Sequence, residues 1–291
     1  MPQTKRDDAP ATVEVKPRSV GGVGAGAARR LVVTPADVAE TLTLMPPAAD
    51  DPTRHHPLPD RLIVTIDGPA GTGKSSTARS LARCLGVEFL DTGAMYRAAA
   101  ALVLDARIDP ADSAAVVERV RRAGLRFDWT TDPPTLLADG RSIMHRLRDA
   151  DVTALVSPLA GLAELRALMV ELQKDIGRAH PRLVTEGRDQ GSVVFPDADL
   201  KIYLFADARV RAARRAEQLR QAGLEADELA LEQEILQRDR SDSSRRVGPL
   251  TCPGDAVRFD TSSLTFDQVV DRLEALVRRA AARGAPRPAG H

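Results

Sequence analysis

The hydrophobic pattern changes character at Arg61. From there Leu62-Ile-Val-Thr-Ile66 forms a continuous β-branched apolar run closed by Asp67-Gly68, which predicts a strand buried on both faces within a parallel sheet. A glycine-rich stretch follows. Ala78, Leu81, Ala82 and Leu85 then recur at helical spacing and predict a helix over residues 75–85. Four further apolar runs read as strands, at residues 87–90, 182–185, 200–205 and 256–259, with helical patterns between them. This alternation predicts an α/β fold, a parallel sheet with helices on both faces. One region departs from it. Residues 125–129, 135–138 and 142–144 read as short strands separated by turn residues, and predict a small antiparallel insert beside the core.

The two ends read differently. Residues 1–60 are rich in Pro, Gly, Ala and Asp and hold no Phe, Tyr or Trp, which predicts a mostly disordered extension. Within it, Leu31 to Leu44 has enough Val and Leu for a short helix or strand. Residues 281–291 are expected to be a flexible tail, with fraying from Arg278 onward, so the folded domain is expected to span 61–280.

Composition narrows the function. With 291 residues the chain is long enough for one α/β core plus accessory pieces. Its formal net charge is zero, so no global field draws it to nucleic acid or to an acidic membrane, and any anion must be held by a local cluster. All but five of the 41 basic residues are arginines, a bias that a GC-rich genome produces by itself, so each arginine needs a contextual argument. Cys84 and Cys252 lie in no metal-ligand or CxxC spacing, and a reducing, cytoplasmic setting is expected. No apolar run approaches the ~20 residues that span a bilayer, and no secretory signal is visible.

Between the first strand and the first helix stands Gly68-Pro69-Ala70-Gly71-Thr72-Gly73-Lys74-Ser75, followed by Ser76. Glycines at these positions let the backbone turn its N–H groups inward, where they and the helix N-terminus hold phosphates. Lys74 is expected to bridge the β- and γ-phosphates of ATP, and the Ser75 hydroxyl to bind Mg²⁺. A phosphate loop alone does not separate kinases from GTPases or ATPases. No guanine-reading Asn/Thr-Lys-x-Asp segment occurs, and no apolar run ends in the Asp-Glu of a motor ATPase. Arginines with nearby carboxylates occur instead, equipment for a phosphorylated acceptor.

Three further segments carry a resemblance: Asp91-Thr-Gly-Ala-Met-Tyr-Arg97, Glu186-Gly-Arg-Asp-Gln-Gly-Ser-Val-Val-Phe-Pro-Asp197 and Arg238-Asp-Arg-Ser-Asp-Ser-Ser-Arg245. In this order, with the phosphate loop, they make residues 61–279 resemble the bacterial cytidylate kinases. The insert, placed at about residues 120–150, resembles the acceptor-binding sheet of that family, and residues 235–250 resemble its lid. The resemblance implies that Thr92, Arg97 and Arg188 hold the acceptor phosphate, that Asp189 reads the cytosine amine, and that Ser157 and Arg166 read the base edge. Arg238 and Arg245 would then neutralise the transferring phosphoryl group, and Asp242 would accept from the ribose. Nine residues of straight helix separate Ser157 from Arg166 by about 13 Å, so both can serve only if the chain breaks near Pro158 and Gly161. If residues 238–245 are helical, Arg238, Asp242 and Arg245 share a face.

Departures from the pattern are Gln190 where an apolar residue is common, Ser241 where some members have Arg, and Arg246 beside Arg245. The expected reaction is ATP-dependent phosphorylation of CMP or dCMP by a monomer, without nucleic-acid or membrane partners. A kinase for UMP or a non-nucleotide acceptor, and a nucleotide-dependent regulatory module, remain the alternatives.

Overall fold

β1 (Leu62–Asp67) is buried at all six positions, as its unbroken apolar run requires. The computed structural model describes residues 57–284; the expectations for residues 1–56 and 285–291 lie outside them. Gly68 to Gly73 lead into α1 (Lys74–Leu85), β2 (Glu88–Asp91) and α2 (Thr92–Asp105). After α3 (Ser113–Ala123) come β3 (Arg126–Asp128), β4 (Thr135–Ala138) and β5 (Arg141–Ser142), which form the separate antiparallel sheet of the insert. The helix pair α4 (Ala150–Ala160) and α5 (Ala163–Ala179) returns the chain to β6 (Arg182–Gly187). A π turn at Gln190–Val194, then β7 (Leu200–Phe205), α6 (Ala208–Gln221), α7 (Glu228–Ser243), β8 (Val257–Asp260) and α8 (Phe266–Gly284) complete the order.

The main sheet has the order β2-β6-β1-β7-β8, with every neighbour parallel. Leu62, Val64 and Ile66 face a core built with Ala78, Leu81 and Leu85 of α1 and Val269, Leu273 and Leu276 of α8. Ile63 points the other way, into a second core with Met95 and Val103 of α2 and Leu165 and Met169 of α5. Each large aliphatic side chain so enclosed contributes roughly 1.5–3 kcal/mol. Among the described residues no single helix is long and apolar enough to cross a membrane.

Two boundaries differ from the sequence reading. Leu58 and Pro59, assigned by composition to the extension, are held in place because their carbonyls accept from the Arg182 guanidinium at 2.9 and 3.0 Å. At the other end, α8 runs to Gly284 rather than fraying from Arg278. Ala280 and Ala281 are buried there, while Arg278 donates to Glu274 at 2.7 Å and to the Cys84 carbonyl at 2.9 Å.

Candidate active site

Three acids finish adjacent strands on the carboxyl edge of the sheet, the edge where open α/β sheets take ligands. Asp91 of β2 and Ile66 of β1 both pair in register with Glu186 of β6, and Asp67 pairs with Gly187. The phosphate loop leaves β1 at the same level. Gly68 has φ +150°, and a Cβ there would fall 2.0 Å from the Leu204 carbonyl oxygen of β7, so glycine alone fits. Gly73, at φ 85°, caps α1 without any side-chain hydrogen bond, so the N–H groups of the first turn stay available for anions. Ser76 lies exposed on that turn.

Lys74 folds over its own loop, and its Nζ donates to the Pro69 carbonyl at 2.6 Å. Thr72 Oγ1 donates to the same oxygen at 3.2 Å. Burial, and then the field of Arg188, push the ammonium down to about 7. Ser75 donates its hydroxyl to Glu186 Oε1 at 3.0 Å. Asp91, pushed up to about 7 by burial and by Glu186, stands beside them and caps α2 through the Ala94 N–H. A hydroxyl next to two carboxylates is the hard oxygen set that suits Mg²⁺. Among the described residues no group of three or more His, Cys, Asp or Glu could hold a metal, so phosphate and water oxygens would complete its shell. No Asp-Glu pair ends an apolar run; Glu186 alone, closing Leu183-Val-Thr185, meets the phosphate-loop hydroxyl.

Near this loop Asp242 is a hub. Its Oδ2 accepts from Arg188 Nε at 2.7 Å and its Oδ1 from Arg245 Nη2 at 2.5 Å, while its side chain is 2 % exposed. Both oxygens are thus engaged by guanidiniums before any ribose arrives. Arg245 also donates to Ser157 Oγ at 2.9 Å. It does so from beyond the helix, because α7 ends at Ser243, so only Arg238 and Asp242 share the expected helical face. Arg238 lies among Arg188, Arg97 and Arg245, and burial followed by the Arg188 charge pushes it below the ordinary arginine value. Among the described residues neither Arg97 nor Arg238 has a hydrogen bond or ion pair. Four guanidiniums therefore lie near one another, with Asp242 shared by Arg188 and Arg245 and with Asp91 within the field of Arg97. Thr92 is buried, and its hydroxyl donates to the Glu186 carbonyl at 2.7 Å.

The break required between Ser157 and Arg166 exists. α4 and α5 meet at 98°, with Gly161 and Leu162 in the bend, and Ser157 meets Arg245 while Arg166 meets Asp189, which feels the charge of both arginines. Arg166 is buried, pairs with Asp189, and donates to the Tyr96 hydroxyl at 3.3 Å. Burial pushes Asp189 up, and Arg166 opposes it. The loop after α7 closes over this pair at Gly248, φ +59°, where a Cβ would lie 2.0 Å from Arg166 Nη2. Gln190, the polar departure, is satisfied inside the core. Its N–H donates to Asp67 at 2.9 Å, its amide accepts from Thr185 and donates to Gln173, both at 3.0 Å.

Asp67, Asp91, Tyr96, Glu186 and Gly248 took no role from the sequence. Asp91, Tyr96 and Glu186 fall inside segments already singled out, and Glu186 ends an apolar run, a usable signal. Gly248 had none, since only the fold brings it against Arg166.

The cytidylate kinase family model matches residues 64–279. A cytidylate kinase of Mycobacterium avium is 44% identical over 218 residues, covering 75% of this chain and 96% of that protein. Those of Corynebacterium diphtheriae and Streptomyces coelicolor are 42% and 43% identical, covering 77% and 76% of this chain and 97% and 94% of theirs. With the phosphate loop, the arginine cluster and the Asp242 hub in one site, and with similarity over nearly the whole length of these relatives, the chain belongs to the cytidylate kinase family.

Proposed function

We infer that the protein transfers the γ-phosphoryl group of ATP to the 5′-phosphate of CMP or dCMP, giving ADP and the pyrimidine nucleoside diphosphate. One observation carries this reading: Arg97, Arg188, Arg238 and Arg245 lie within one another's field, and among the described residues neither Arg97 nor Arg238 is held in a direct ion pair, although Asp91 attracts the first and Asp242 the second. Such a cluster is costly until an anion fills it, and the anion that fits between a phosphate loop and a base pocket is a nucleotide phosphate.

The acceptor is already an anion, so no side chain has to remove a proton or form a covalent intermediate. Positioning, charge neutralisation and exclusion of water do the work. Lys74 and the α1 N-terminus hold the donor phosphates; Arg97 and Arg188 orient the acceptor, with Thr92 at its edge; Arg238 and Arg245 meet charge that develops in transfer. Ser75, with Glu186 and Asp91 behind it, would hold Mg²⁺, which would supply neutralisation of phosphate charge. Asp189 accepts from the cytosine amine, a donor that uracil lacks, while Arg166 and Ser157 line the base edge. The reading takes the protein to work as a cytoplasmic monomer.

A coupled ADP-release assay over a panel of acceptors tests it. CMP and dCMP should turn over fastest, with UMP well behind. A faster non-nucleotide acceptor would overturn the assignment.

A further inference from the structure

Helix α7 carries Arg238 and Asp242 towards the acceptor, yet Asp239 between them turns onto the phosphate loop. Its Oδ1 accepts from the Ala70 N–H at 3.2 Å, and its Oδ2 lies 2.7 Å from Arg211 Nη1. Arg211, buried on the first turn of α6, donates onward to the Ala70 carbonyl at 2.8 Å and to the Ala206 carbonyl at 2.9 Å. One ion pair thus grips both polar groups of a single loop residue. Apolar packing reinforces the grip, because a Cβ on Gly71 would meet Arg211 Cβ at 3.4 Å and Ile235 Cδ1 of α7 at 3.7 Å.

Both carboxylate oxygens of Asp239 are taken by the Ala70 N–H and Arg211. Paired with Arg211 it is electrically neutral, so what it adds to the loop is geometry rather than charge. Only one orientation of the Ala70 residue satisfies both bonds, and Arg238 immediately precedes Asp239 on the same helix. Fixing Asp239 therefore fixes where Arg238 stands relative to the donor phosphates. In-line transfer depends on that distance, since a misplacement of about 1 Å can cost on the order of 10²-fold in rate.

We propose that Asp239, clamped with Arg211 to Ala70, is a positioning residue that joins the donor loop and the acceptor arginines into one unit, so that filling the phosphate loop sets the register of Arg238 and Asp242. The proposal rests on the acceptor reading given above.

The test uses the full chain and the Asp239→Asn and Asp239→Glu variants. CMP affinity is measured by calorimetry with and without a saturating non-hydrolysable ATP analogue, alongside kcat. In the unsubstituted protein the analogue should tighten CMP by at least about fivefold. In Asp239→Asn each nucleotide alone should bind within about twofold of normal, the tightening should fall below about twofold, and kcat should drop by at least about tenfold. Asp239→Glu, which keeps the charge, should recover part of both. Full tightening and full kcat in Asp239→Asn overturn the proposal, as does a loss confined to melting temperature. Should Asp239→Asn not fold, Asp239→Glu decides alone: reduced tightening and kcat support the clamp, and unchanged values overturn it. An unsubstituted protein that binds the analogue but not CMP overturns the acceptor reading itself, and the clamp with it.

Discussion

Arg166 and Asp189 form an ion pair whose side chains are only 6% and 7% exposed, joining the first turn of α5 to the residues just after β6. Removing one partner of such a pair leaves the other's charge stranded, at a cost of about 3–5 kcal/mol. A probe of base reading therefore has to keep the hydrogen bond. We expect Asp189→Asn to lower the kcat/KM preference for CMP over UMP by at least about tenfold. Asp189→Ala should lose that preference and considerably more thermal stability. Unchanged selectivity in Asp189→Asn would move the base reader elsewhere.

Lys74 has one hydrogen bond, to the Pro69 carbonyl, and is buried. A desolvated cation held so thinly does little for the fold. Lys74→Ala should cut kcat/KM by at least about 10³-fold while circular dichroism and melting temperature stay close to those of the parent. A near-normal rate would remove the phosphate-loop assignment.

Arg238 is held among like charges. Function and stability should part company here, so Arg238→Met is expected to raise the melting temperature slightly while lowering kcat by about 10²-fold or more. Calorimetry and steady-state kinetics on one preparation check both. A destabilised variant with normal kcat contradicts the reading of this cluster.

Asp67 accepts from the Gln190 and Gly191 N–H groups, yet burial outweighs them and lifts its pKa from 3.8 to about 7. Because the folded value lies above the unfolded one, the native protein keeps a proton the unfolded chain has lost. The group's favourable contribution is complete below the unfolded pKa and disappears as pH rises through about 7. Asp67→Asn cannot titrate. Lowering the pH from about 8 to about 5 should therefore raise the melting temperature of the unsubstituted protein relative to Asp67→Asn by several degrees. A difference that does not change with pH would show that Asp67 is ionised in the fold.

The main-sheet strands were legible because each is a short apolar run, and the insert because period-two segments alternate with turn residues. The helix break was legible only as a condition, since Ser157 and Arg166 could not both serve without it. Tertiary placement was not legible. Nothing local to Glu186 says that it will face Ser75, and nothing near Asp242 says that Arg188, 54 residues away in the chain, will claim one of its oxygens while Arg245 takes the other. The ends were misjudged for the same reason. Composition reports what a segment prefers alone, whereas Leu58 and Pro59 are held by Arg182, and Ala280 and Ala281 by burial.

β1 emerges first during synthesis, yet its neighbours begin at Arg182 and at Leu200, so the strand waits roughly 115 residues for the first of them. Throughout that interval an apolar, β-branched segment has two open edges, a hazard for mispairing on the ribosome. Nor can the loop behind it take its shape early, because Gly68 seats against the carbonyl of Leu204. The nucleotide grip written near the start of the folded region is thus among the last properties the nascent chain acquires.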